Sequence, residues 1–304
     1  MDSRDIKEEP RKIEGDKYLE EIYSMQKDLL SGYIGIEGLP QYPIDINTKV
    51  SQTLLKDFTS RIVEELSEGY ESFQSVDKLI QNNLSELYIQ SEESNSVCIE
   101  LLNHLQNANE ENADAVHFFI ELLIYANIQP DDILAYIEKW LSDNVKDILF
   151  INHIKKLNGD ILRTSMAMGI HWILKESDIE MADSKNTINI WNWYLERDSD
   201  ILPIYNLNLL RGGKMYNHYN YTVNYPYLLW KVTHHLNIAR NFLKNKPWKQ
   251  SQVMTQELKY QAELVKAFIY FCGYLALIGL TSPGVFYIYF KKNHVNRFRQ
   301  KSKY

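Results

Sequence analysis

The chain has 304 residues, enough for one large domain or two small ones with a sizeable core. Its 33 basic residues against 40 acidic ones leave a net charge of −7, which argues against general nucleic-acid binding and its basic footprint. Cys98 and Cys272 are the only cysteines, so a disulfide scaffold or a four-thiolate zinc site is excluded.

Residues 1–15 are charged, carry no apolar signal-peptide core, and read as a mobile tail. A helix is predicted from Gly15 to about Leu30, followed by a Gly- and Pro-rich connection. The next helix, Thr48 to Phe73, repeats apolar residues at three- and four-residue steps through Leu55, Phe58, Ile62, Leu66 and Tyr70. Two further helices are predicted over 96–106 and 112–127. Pro130-Asp131-Asp132 marks another start, with Pro in the first turn and acids at the positive end of the dipole. The centre, about 146–230, reads as an insertion of shorter helices ending in a Tyr/Asn-rich stretch. Helices resume at 228–242, 252–278 and 283–300. The low Gly and Pro content, 12 and 8, fits an all-α bundle over residues 16–304 with an acidic half (16–145) and a C-terminal half (231–304). The most apolar run, Ala267 to Ile278, is too short to cross a bilayer, so a cytoplasmic protein without membrane or nucleic-acid partners is expected.

One internal match bears on architecture. Residues 114–139 align without gaps on 266–291 at a constant offset of 152, setting Glu111 on Glu263 but Asp114 on Lys266. Two degenerate repeats are one reading, and two generic helical hairpins are the other.

The chemistry lies in acidic spacing. Glu65 and Glu68 sit three apart within a run that also holds Glu64 and Glu71, so their carboxylates share a helix side bordering the apolar stripe. Glu111 and Asp114 repeat that spacing on a second helix. One such pair is usually a solvated face. Two, packed side by side, bring four carboxylates to the edge of a core, where they raise one another's pKa values unless a hard cation neutralises them. Mg²⁺ suits all-oxygen ligands and keeps waters for substrate phosphates. His117, three residues from Asp114, reads as a packing histidine, and no His-Glu-x-x-His, phosphate-loop or Gly-x-Ser-x-Gly motif occurs.

At these residues the chain resembles the dimeric dUTPase family of the all-α nucleotide pyrophosphatase superfamily. Glu65-Leu-Ser-Glu68 with Ser72-Phe73 is similar to the family's first acidic helix. Glu111-Asn-Ala-Asp114-Ala-Val-His117-Phe118 is similar to its Glu-x-x-Asp-x-x-His-Phe helix. The segment from Tyr289 to Tyr304 resembles its Tyr-x-x-Lys-Asn-x-x-Asn-x-Phe-Arg-Gln-x-x-Gly-Tyr motif, and Gln26 with Leu29 its N-terminal Gln-x-x-Leu-Asn. The anchors keep family order across nearly the whole chain.

The resemblance implies Mg²⁺-dependent hydrolysis of dUTP to dUMP and pyrophosphate by a homodimer. Two or more ions would be held by Glu65, Glu68, Glu111 and Asp114. Glu64 or Glu65 would take the proton of the attacking water. Gln26, Lys292, Asn293, Asn296, Arg299 and Tyr304 would contact substrate phosphate, sugar or base. The family's Trp-Lys after the first acidic helix is absent, and Lys303 replaces its last Gly. Another pyrimidine deoxynucleotide (dCTP, dTTP or a modified base) is therefore an alternative substrate, and a catalytically silent helical binding protein is an alternative from another class.

Overall fold

The computed structural model describes residues 3–11, 13, 17–82, 92–143, 218–244, 254–278, 280 and 282–302. Among them lie seven α-helices and no strand: α1 (Tyr18–Glu37), α2 (Lys49–Asn82), α3 (Glu92–Tyr125), α4 (Pro130–Asp143), α5 (His218–Phe242), α6 (Glu257–Leu277) and α7 (Ser282–Ser302). The fold is all-α, as the composition predicts. No helix of the described residues is long and apolar enough to cross a membrane.

Two long antiparallel pairs, α2 with α3 and α5 with α6, form the body, and α1 and α7 pack together across α3. On α2 the apolar stripe buries Leu55, Phe58, Ile62, Leu66, Phe73 and Val76. Phe119 of α3 stacks on Phe271 of α6, with centroids 5.1 Å apart, and joins the two pairs through one core. α1 runs into the first residues of the predicted connection and stops at Gly38, whose φ of 67° is the left-handed cap conformation that glycine adopts without a Cβ penalty. α3 is one helix where two were predicted. Its polar stretch Asn107–Asn112 contains no Gly or Pro and buries Ala108 on the core side, and Asn112 Nδ2 donates to the Ala108 carbonyl at 2.8 Å.

The N-terminal stretch expected to hang free is tied down. Ile6 and Ile13 are buried, and the buried Lys291 of α7 binds the backbone at Ile6 and Glu8. The sequence shows no sign of this because the acceptors are main-chain carbonyls. Most of the 146–230 insertion, with the Tyr/Asn-rich stretch up to residue 217, lies outside the described residues, as do the side chains of 218–225.

The repeat seen in sequence recurs in the helix boundaries and burial pattern. α3 ends at Tyr125 and α6 at Leu277, while α4 begins at Pro130 and α7 at Ser282, both at the offset of 152. The first helices of the pairs match at a second offset, 170. Buried Phe58, Ile62, Leu66, Gly69 and Phe73 then fall on buried Leu228, Val232, Leu236, Ala239 and Leu243, and Glu65 falls on His235.

Candidate metal and phosphate site

Glu65 of α2 meets Glu111 and Asp114 of α3 one turn from Gly69, where the helices pack closely. A Cβ built on Gly69 would lie 3.6 Å from the Glu111 Cβ. One carboxylate oxygen from each of Glu65, Glu111 and Asp114 lies within 4.8 Å of the other two, and all three groups are partly buried. Burial, then Asp114, a hydrogen bond with Glu111, and Glu68 push the Glu65 carboxyl up to about 8. Glu111 is raised by burial against the pull of its hydrogen bond with Glu65. Asp114 is raised by burial although Lys292 and Arg299 draw it down. Crowded carboxylates of this kind favour a shared proton, which a divalent cation would replace. An octahedral ion with bonds of about 2.1 Å spaces its ligand oxygens by about 3 to 4.2 Å. The 4.8 Å bound on the spacing of the three oxygens lies just above that span, and an all-carboxylate donor set suits Mg²⁺ or Mn²⁺.

Glu68 is exposed at the rim, close enough to raise both glutamates yet outside the triad. Glu64, one residue before Glu65 and about 100° around the helix from it, is exposed and no part of the cluster.

α7 brings the cationic side. Lys292 Nζ lies 2.6 Å from Asp114 Oδ2, with both side chains largely buried. Arg299, two turns on, is exposed but acts on Asp114. Asn296, four residues from Lys292, shares its side of the helix and is partly exposed. Tyr304 lies outside the described residues.

Two residues expected to face a ligand, Gln26 and Asn293, are internal. Gln26 is fully buried where α1, α3 and α7 meet. Its Nε2 donates to Glu121 Oε1 at 2.7 Å, and its Oε1 accepts from the Tyr289 hydroxyl at 2.6 Å. His117 Nδ1 lies 2.8 Å from the same oxygen, so Nδ1 carries the hydrogen and Nε2 is the acceptor. That Nε2 is buried without a protein partner. The ring stacks on Tyr289 at 4.2 Å, and burial, reinforced by the Lys292 charge, pushes its pKa down to about 3. Asn293 is also fully buried, its Oδ1 accepting from Arg297 Nε at 2.8 Å.

Sequence reasoning missed Glu121 and Tyr289 as members of this network. The available signal was Gln26 itself, which stands on the α1 stripe of Ile22, Leu29 and Leu30 and needs buried partners there.

The second helix pair holds the counterpart of the triad. His235 Nδ1 lies 2.7 Å from Glu263 Oε2, and Lys266 Nζ lies 2.6 Å from Glu263 Oε1. Although burial opposes it, the bonds from Lys266 and His235 hold Glu263 below its ordinary value. His235 stands where Glu65 does, and Lys266 where Asp114 does. The cluster is self-neutralised and offers no set of anionic ligands. A groove of about 330 Å³ on another face of α2, between Tyr70 and Trp230, contains none of the candidate groups.

No protein-family model matches the chain, and neither a curated protein nor a solved structure does.

Proposed function

We propose that the protein hydrolyses dUTP to dUMP and pyrophosphate with Mg²⁺ at the Glu65–Glu111–Asp114 cluster. The observation that carries this is the convergence of three carboxylates from two helices with Lys292 set 2.6 Å from one of them. When bound, Mg²⁺ polarises the phosphate chain and lowers the pKa of an attacking water. Glu65, Glu111 and Asp114 hold it, and Glu68 joins from the rim. Lys292 and Arg299 serve as charge-assisted donors to phosphoryl oxygens, with Asn296 on the same side. Of Glu64 and Glu65, the two candidates for receiving the water's proton, Glu65 alone belongs to the cluster.

The family resemblance supplies the base and the homodimer. The internal bonding of Gln26 and Asn293 favours a second reading, the same chemistry on dCTP, dTTP or a modified pyrimidine, because these amides are already satisfied within the protein.

Pyrophosphate release from each deoxy- and ribonucleoside triphosphate, with Mg²⁺ and with chelator, tests the proposal. The expected result is release from dUTP only when Mg²⁺ is present. Another pyrimidine keeps the chemistry and overturns the base. Release from none, with no Mg²⁺ uptake, leaves a helical binding protein.

A further inference from the structure

The tied N-terminal stretch touches the site's two supporting helices at residues adjacent to the site itself. On α3, Glu110 accepts from Ser3 Oγ at 2.7 Å, next to Glu111 of the triad. On α7, Lys291 lies next to Lys292, the partner of Asp114. Lys291 is 6% exposed, and its ammonium donates to the Ile6 carbonyl at 2.8 Å, the Glu8 carbonyl at 2.6 Å and Glu9 Oε1 at 2.9 Å. Those are all three donors an ammonium has. His294, one turn along α7, lies 3.5 Å from Glu8 Oε2. Consecutive residues on a helix point about 100° apart, so each helix turns one residue to the strand of chain and its neighbour to the site.

We propose that residues 3–9 form a strap that sets the spacing and rotation of α7 against α3, with Lys291 as the positioning residue that keeps Lys292 on Asp114. The strap bonds to Glu110 of α3 and Lys291 of α7, neighbours of the triad and of Lys292, and acts through the helices that carry them. A lysine so thoroughly bonded to backbone carbonyls fixes the rotation of α7 more tightly than an apolar residue would, because its bonds are directional. The consequence for catalysis rests on the proposed nucleotide chemistry; the consequence for α7 does not.

The test uses the full chain with Lys291→Met and Lys291→Arg. Amide exchange in α7 around 289–296 is expected to accelerate about tenfold or more in Lys291→Met, with faster tryptic cleavage at Lys7 and Arg11. KM for the nucleoside triphosphate is expected to rise about tenfold while kcat changes by less than about threefold, because displacement of Lys292 weakens phosphate capture first. Lys291→Arg, which keeps the charge and donors, restores most of the loss. Unchanged exchange and cleavage in Lys291→Met overturn the strap. Faster exchange with unaltered KM overturns its role at the site. If the wild type binds neither Mg²⁺ nor nucleotide, the proposed chemistry fails, and exchange alone decides whether Lys291 positions α7.

Discussion

Replacing Glu65 by Gln should stabilise the metal-free protein at alkaline pH and remove its response to Mg²⁺. Burial and three neighbouring carboxylates lift Glu65 from the ordinary value of 4.5 to about 8. The folded protein therefore holds a proton that the unfolded chain releases, so stability is full below pH 4.5 and falls as pH rises to about 8. Unscreened, that displacement amounts to about 5 kcal/mol; Glu65 is only half buried, so about 2 kcal/mol is a better expectation. Glutamine keeps a donor for Glu111 and has no charge to lose. In thermal melts with chelator, Glu65→Gln should match wild type near pH 4.5 and exceed it by about 4 °C at pH 8.5. Adding Mg²⁺ should reverse the order, because wild type gains a ligand set that the variant lacks. Equal melting at pH 8.5 in chelator, or a variant less stable there, would refute the reasoning about the cluster.

Three other outcomes are expected. Glu68→Gln and Asp114→Asn should abolish Mg²⁺-dependent pyrophosphate release with helicity intact by circular dichroism, while Glu64→Gln keeps it within about threefold, since Glu64 lies outside the cluster. His117 should remain neutral in NMR titrations down to pH 4; its depressed folded value of about 3 makes it lose stability as pH falls from about 6.5, and His117→Asn should flatten the acid side of the stability profile. Gly69→Ala should be neutral or add up to about 1 kcal/mol in urea melts, because a Cβ there meets nothing closer than 3.6 Å, whereas Gly69→Leu should push α2 off α3 and lower both stability and Mg²⁺ affinity.

The acidic pairs were legible because helical spacing alone puts Glu65 and Glu68, and Glu111 and Asp114, on shared faces. Which member faces the partner helix was not, since that depends on how α2 rotates against α3. The rotation turns Glu65 inward and leaves Glu68 at the rim. Lys292 could be assigned by resemblance, but its 2.6 Å approach to Asp114 depends on α7 docking over α3, a contact between residues 178 apart. Gln26, assigned to a ligand by resemblance, is bonded here to Glu121, His117 and Tyr289, partners that only the docking of α1 on α3 and α7 brings to it. The continuity of α3 was hidden because asparagine favours caps and turns in isolation, a preference that core burial of Ala108 and Ala113 overrides.

The presence of Lys266 where the first pair has Asp114 bears on how evenly the fold is held. The α5–α6 pair carries its cation on a covalent tether, so its polar cluster is complete without any ion from solution. The α2–α3 pair has Lys292 against Asp114 and leaves Glu65 and Glu111 crowded together. On the proposed metal reading, the acidic end would be the softer end of the bundle when divalent ions are scarce, and loading an ion would level the two. The proteolytic lifetime of the acidic half would then be a gauge of available metal.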